Sequence, residues 1–158
     1  MNAIAPSPVK SPSTRAHLEW AQGLVAGTQP PPPVAMLVGF EAVHADHGVA
    51  VMELACDRRH ANPMGTLHGG VLVDVADAAM GIALSTTLED GETFTTVDLT
   101  ANYFKPIRDG RIRAAATVTR RTRTLGFVEC EVTDESGSVV AKVFSTCMVL
   151  RGDDAKGR

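Results

Sequence analysis

One run of apolar residues, from Val71 to Leu84, most constrains how this chain can fold. The run is too short to span a bilayer, and its length and many alanines favour a helix over a strand. It nevertheless contains two aspartates, Asp74 and Asp77, three residues apart. Because burying a carboxylate is costly unless something compensates for it, these two acids need an explanation. The sequence predicts a buried helix over 71–85 with a polar seam.

The polar seam of the predicted helix is narrow. In helical projection Asp74, Asp77, Gly81 and Ser85 fall within a stripe roughly 80° wide, and apolar side chains cover the rest. Asp74 lies early in the helix, where the positive helix end favours acids, and we expect it to be solvated. Asp77 lies further in, among apolar neighbours, so a functional use of its charge is the stronger interpretation.

The loop before this helix could bind an oxyanion. Residues 62–70 read NPMGTLHGG. Adjacent glycines at a helix start let a ligand approach free backbone N–H groups, which can stabilise an oxyanion formed from a carbonyl. Asn62 and His68 add polar side chains. An ordinary tight turn at Gly69 and Gly70 is the alternative, and spacing alone leaves both open.

The segments around the helix predict one sheet that wraps it. A short helix over 13–27, capped by Ser13 and ended by Gly27, precedes an extended connector, PPPP, at 30–33. Two β-rich segments come before the buried helix and four after it. This order predicts an α+β fold with one sheet around a central helix. The predicted strands are 34–46, 48–56, 93–104, 111–122, 126–134 and 139–150.

Composition excludes several classes of protein. A net charge of −3 and 4% aromatic residues argue against a nucleic-acid surface. The cysteines, Cys56, Cys130 and Cys147, are odd in number and widely spaced, which predicts buried thiols rather than disulfides or metal ligands. The N-terminus lacks the pattern of a signal peptide, so we expect a cytoplasmic protein without a membrane partner.

The motifs together resemble the hotdog-fold thioesterases, in particular the phenylacetate-pathway (PaaI-like) and acyl-CoA thioesterase 13-like group. That group's pattern is read here as Asn62, Gly65, the HGG sequence at 68–70 and Asp77. The segment TVDLTANYFKP at 96–106 and the last predicted strand also match. The resemblance covers about residues 36–150.

The resemblance implies a hotdog fold and hydrolysis of acyl-CoA without a cofactor. It implies that Asp77 is the nucleophile or general base, that the Gly69 N–H polarises the thioester carbonyl, and that Asn62 positions the water or the carboxylate. His68 would shape the loop, and Thr96 would help to hold the attacking water.

The resemblance also implies homodimers that join sheets edge to edge and usually pair into tetramers. The HGG loop of one subunit would face the carboxylate of the other.

The resemblance also gives candidate contacts to coenzyme A: Gly70, Tyr103, Lys105, Arg120, Arg121 and Arg123. For each basic residue among them, a solvated charge at the rim of a hairpin is the alternative.

Strand alternation conflicts with the role of Thr96. It places Val97, Leu99 and Ala101 toward the helix, so Thr96 would point away unless the strand bulges or a neighbouring subunit's site lies there.

The domain boundaries and two other functions complete the predictions. We expect a disordered tail over 1–12, a helix and connector over 13–34, the hotdog domain over 35–151 and a C-terminal tail over 152–158. A hotdog dehydratase or hydratase, which needs a paired histidine and acid, and a non-catalytic acyl-CoA sensor are the other functions considered.

Overall fold

A 17-residue helix lies against a six-stranded antiparallel sheet. The structure is a computed structural model that describes residues 12–156, with side chains from residue 15. The predicted tail over 1–12 lies outside the described part except for Pro12, where α1 begins. The prediction that Ser13 caps this helix is therefore wrong, since the helix begins before it. Short 3₁₀ turns follow the second and last strands. The elements are α1 Pro12–Val25, α2 Pro33–Val38, β1 Phe40–Asp46, β2 Val49–Cys56, α3 Gly69–Ser85, β3 Glu92–Tyr103, β4 Gly110–Arg121, β5 Leu125–Asp134 and β6 Val139–Arg151.

The sheet has the strand order β1-β2-β4-β5-β6-β3, and α3 packs mainly on β2, β4 and β5. Strand alternation produces the covered face: Ile112, Ala114 and Ala116 are fully buried, while the residues between them are exposed. Alanines on α3, among them Ala76 and Ala79, are also fully buried and let the helix lie close to the sheet. The predicted α+β hotdog architecture is confirmed.

Helix α3 and the sheet approach each other closely at Gly126. A Cβ atom there would lie 2.5 Å from Cδ1 of Leu84 and 3.0 Å from its Cδ2. Leu84 is fully buried, so it could make room for a methyl group only by displacing other core side chains. The glycine is therefore required by packing, not by its backbone conformation.

The prediction of a strand over 34–46 is wrong for its first residues, which form α2. Proline is favoured in the first turn of a helix because its φ is already helical and its missing N–H would have no partner there. Pro33 uses this property. Gly39 ends the helix with φ +92°, and its N–H donates to the carbonyl of Ala35 at 2.7 Å. The strand begins only at Phe40.

Strand β3 is an edge strand with a bulge. Thr96 pairs with Cys147 and Asp98 with Thr146, so Val97 is the extra residue. Leu99 packs against the core as predicted, but Val97 is 62% exposed, and its predicted inward position is wrong.

The three cysteines are buried and free, as predicted. Burial raises the pKa of the Cys56 thiol to about 11 and that of Cys130 to about 12, so neither is a thiolate at neutral pH. Between residues 12 and 156, no helix is long and apolar enough to cross a membrane.

We expect Gly126→Ala to lower the free energy of unfolding by roughly 1–3 kcal/mol, because the new methyl group would overpack the contact with Leu84. Urea unfolding measures the effect. Glu129→Ala, at an exposed position on the same strand, is the control. Adding Leu84→Val should recover part of the loss if the two side chains compete for one space. A Gly126→Ala protein as stable as the control would contradict this packing.

Candidate active site

The start of α3 leaves one backbone donor open. His68 caps the helix: its Nδ1 accepts the Gly70 N–H at 2.9 Å, and its carbonyl accepts the N–H groups of Val71 and Leu72 at 3.0 and 3.2 Å. The Gly69 N–H has no partner among residues 12–156. A free N–H at the positive end of a helix is suited to polarise a carbonyl oxygen. The Gly70 N–H, in contrast, is occupied by His68 and is not free for a ligand.

Asn62 organises the loop before the helix. Its Oδ1 accepts the N–H groups of Met64 and Thr66 at 2.9 and 3.2 Å, and its Nδ2 donates to Thr66 Oγ1 at 2.9 Å. The loop is then tied to its surroundings, since the Leu67 N–H donates to the carbonyl of Ile107 at 2.6 Å. These bonds use Oδ1 and one N–H of Nδ2 to hold the loop in place, and the second Nδ2 N–H has no acceptor among the described residues.

A cavity of about 420 Å³ lies beside this loop. Tyr103 reaches over it and donates its hydroxyl to the carbonyl of Gly69 at 2.9 Å. A Cβ atom at residue 69 would be 3.0 Å from that hydroxyl oxygen, so the glycine also makes room for Tyr103. Lys105, at the same cavity, is paired with Asp134 at 2.6 Å, and the ammonium group lowers the pKa of that carboxyl.

Asp77 lies in a second cavity, of about 360 Å³, whose other polar side chains are those of Thr96 and Ser85. Its carboxylate is partly buried and accepts no hydrogen bond from any described residue. Burial, and secondarily the charge of Asp74, raise the pKa of Asp77. An unpaired carboxylate in an apolar cavity is a candidate base or nucleophile. Asp74 is itself partly buried rather than fully solvated, and burial raises its pKa too.

The bulge in β3 resolves the conflict over Thr96. The extra residue changes the phase of the alternation, so Thr96 lines the Asp77 cavity together with Phe94, although Leu99 also packs inward. Thr96 Oγ1 is 3.9 Å from Cys147 Sγ. Sequence alternation alone could not place this side chain, because nothing in the local sequence marks the bulge.

The two halves of the predicted site do not meet within one chain. Gly69 and Asp77 lie eight residues apart on one helix, a rise of about 12 Å. The cavity beside Gly69 and the cavity of Asp77 share no lining residue. A thioester carbonyl held by the Gly69 N–H is therefore out of reach of Asp77 in the same protomer.

The predicted coenzyme A residues are also divided within the chain. Tyr103 and Lys105 lie at the end of the sheet that holds Gly69. Arg120, Arg121 and Arg123 lie at the other end, because β4 crosses the whole sheet, about 36 Å at roughly 3.3 Å per residue.

Arg121 is not a free cation. It pairs at 2.7 Å with Glu92, which also binds Arg151, and the Glu92 side chain is 5% exposed. Burial alone would raise the pKa of Glu92, but the Glu89 N–H and the two guanidinium groups outweigh it and the net shift is downward. Arg120 and Arg123 are exposed.

Several side chains of the Asp77 cavity were not predicted. Trp20, Phe40, Met52 and Phe94 line it, and they come from four separate elements. Each residue alone looks like an ordinary core or surface hydrophobe, so only the fold identifies them as cavity residues.

Comparison with known proteins agrees with the fold. A profile of the Thioesterase superfamily matches residues 64–141, which include the HGG loop, Asp77 and Thr96. Human acyl-coenzyme A thioesterase 13 is 31% identical over 102 residues, 63% of this chain and 72% of that protein. A candidate esterase of Haemophilus influenzae is 34% identical over 83 residues, 52% of this chain but only 60% of the relative.

A solved structure has a similar fold. The phenylacetic acid degradation-related protein of Ralstonia eutropha superimposes with a TM-score of 0.73 at 28% identity, covering 82% of this chain and 98% of that one. The chain belongs to the thioesterase superfamily, within its hotdog group, as the sequence motifs predicted.

We expect Glu92→Gln to lower the free energy of unfolding by about 2 kcal/mol at neutral pH, because it leaves two arginines without their anion; the partial exposure of Arg151 keeps the loss below that of a deeply buried pair. Denaturant unfolding of both proteins measures it.

The pH dependence has a definite sign. The pKa of Glu92 is lower in the folded protein than in the unfolded chain. The ionised Glu92 therefore stabilises the fold fully above the unfolded-state pKa, and this stabilisation is lost as the pH falls through the folded-state pKa. The gap between wild type and variant should shrink on acidification. Glu129→Gln, at an exposed position, is the control. A gap that widens in acid would contradict the ion pair.

Proposed function

We propose that this protein hydrolyses acyl-CoA thioesters to the free acid and coenzyme A. The observation that carries the proposal is that one helix presents both an open N–H, at Gly69, and a carboxylate without a described partner, at Asp77, in an apolar cavity. Family membership supports thioester hydrolysis, and the name of the human relative supports coenzyme A as the thiol.

In the proposed reaction the thioester carbonyl accepts the Gly69 N–H. Asp77 removes a proton from a water molecule that the Thr96 hydroxyl helps to hold, and the hydroxide adds to the carbonyl carbon. The oxyanion that forms is stabilised by the Gly69 N–H and the helix dipole. When the C–S bond breaks, the thiolate of coenzyme A takes the proton from Asp77, so atoms and charge balance. Direct attack by the Asp77 carboxylate, followed by hydrolysis of the anhydride, remains the other form of the same proposal.

The proposed site is shared between two protomers. The long edge strand β3 has no partner on one side among residues 12–156, and such edges commonly join another copy. Antiparallel joining about a twofold axis would bring the Gly69 end of one chain toward the partner's α3. It would also bring Tyr103 and Lys105 toward the partner's arginine end, which reunites the divided coenzyme A residues. Pairing of such dimers into tetramers is part of the proposal.

The alternative hotdog dehydratase receives no support from the cavity, since among the described residues no histidine lines it beside Asp77. His68 lies at the other cavity and is used as the helix cap. A non-catalytic sensor remains an outcome of the tests below.

We expect Asp77→Asn to lower kcat by at least ~10²-fold, because the variant keeps size and polarity but has neither base nor nucleophile. Thiol release from acyl-CoA measures it. The melting temperature should not fall: the pKa of Asp77 is raised, so its ionised form costs stability at neutral pH and the amide removes that cost. Acyl-CoA binding with no turnover in wild type would indicate a sensor.

Asp74→Asn is the matched control for this experiment. It should change kcat by only a small factor. Since the charge of Asp74 contributes to raising the pKa of Asp77, the variant should also move the acid limb of kcat/KM to lower pH. Loss of turnover in Asp74→Asn but not in Asp77→Asn would assign the chemistry to the other carboxylate.

A second test asks whether the site is shared. Gly69→Pro removes the N–H at a helix position where proline is favoured, and His68 already has the extended conformation that precedes proline (φ −64°, ψ 128°). Gly69→Pro and Asp77→Asn should each be inactive. Mixed and allowed to exchange subunits, they should recover about a quarter of wild-type activity, because half of the dimers are mixed and each has one intact site.

Gly69→Ala is the control for the proline variant, since it adds a Cβ near Tyr103 but keeps the N–H. Light scattering confirms that every variant assembles. An active monomer, or no recovery after demonstrated exchange, would contradict a shared site.

A further inference from the structure

The segment before the sheet forms one wall of the Asp77 cavity. We define the N-terminal segment as residues 12–38, which comprise α1, the proline connector and α2. It contributes Trp20, Pro32 and Val34 to the cavity lining. We propose that Trp20 determines acyl-chain specificity by closing this cavity over a linear aliphatic chain of medium to long length. The proposal rests on the proposed thioester hydrolysis and names the acyl group on which it acts.

The placement of Trp20 is fixed by its neighbours on α1. Ala21 is fully buried, and Leu24 packs against the core, so this face of the helix is anchored to the body of the protein. Trp20 itself is 40% exposed. Because its large, rigid indole lies at the cavity and is still partly in water, a ligand that enters the cavity can bury the remaining apolar area.

The chemistry of the walls orients the acyl group. The polar side chains of the cavity belong to α3 and β3: Asp77, Ser85 and Thr96. The N-terminal segment supplies only apolar side chains. A bound thioester would therefore place its carbonyl toward α3 and β3 and its hydrocarbon end against Trp20.

A second cavity extends the space available to the chain. It measures about 510 Å³ and lies between the connector, α2 and β1. Pro32, Phe40 and Met52 line both cavities, so the two cavities adjoin at these three side chains. Methionine is unbranched and adapts its shape readily. An aryl group would occupy the first cavity alone, whereas a linear chain that displaces Met52 can continue into the second, which favours the linear chain.

The single tryptophan of the chain makes a direct binding test possible, because all indole emission comes from Trp20. Full-length wild-type protein is titrated with dodecyl-CoA, a thioether that cannot be hydrolysed, and with ethyl-CoA. We expect a saturable blue shift with dodecyl-CoA, since its chain removes water from the indole, and none with ethyl-CoA.

Calorimetry on the same samples separates the possible failures. Binding of dodecyl-CoA with unchanged emission would overturn the role of Trp20 and leave the proposed function standing. If neither thioether binds and no acyl-CoA is hydrolysed, the role and the proposed function both fail.

Kinetics provide a test that does not depend on fluorescence. We expect Trp20→Ala to reduce kcat/KM for lauroyl-CoA by about 10-fold, mainly through KM, and to leave butyryl-CoA nearly unchanged, because only the longer chain reaches the indole. Val25→Ala is the matched control, an exposed apolar residue of α1 that lines neither cavity. An equal loss on both substrates, or no loss on either, would overturn the proposal.

Discussion

The packing of α3 on the sheet is the constraint on which the rest of this structure depends. The helix is covered along most of its length, and its alanines and the opposing Gly126 set how close it lies to the strands. A helix held this tightly has a fixed direction and a fixed start. It therefore gives both the open N–H of Gly69 and the carboxylate of Asp77 a rigid support.

The same rigidity keeps the two groups apart. Gly69 and Asp77 cannot approach each other along a straight helix, so a site that uses both needs a second helix. The unpaired edge of β3 offers a way to bring one in. In the shared site proposed above, a second protomer would complete the active site. It would also bring together the two groups of coenzyme A candidates, which lie at opposite ends of the sheet within one chain.

Local features decide how each group is presented. His68 accepts the Gly70 N–H and leaves the Gly69 N–H without a partner among the described residues, while Asn62 hydrogen-bonds within the loop before the helix. The bulge at Val97 brings Thr96 into the Asp77 cavity. Arg121, predicted to meet coenzyme A, is held instead by a buried glutamate. Each of these outcomes depends on a partner distant in sequence or on a shift in register.

The sequence by itself determined the order of the elements after Phe40, the buried helix, the family and the loop-and-aspartate motif, because hydrophobic periodicity and close spacing are local properties of a chain. The signals that bound α2, Pro33 and Gly39, are also local, although the strand prediction did not use them. The sequence did not determine the phase of β3, the pairing of Arg121 or the contribution of the N-terminal segment to the Asp77 cavity. Those were decided by the tertiary structure. Packing places Trp20 in the same cavity as Asp77 and brings Glu92 to Arg121, and no local pattern encodes contacts between residues so far apart in sequence.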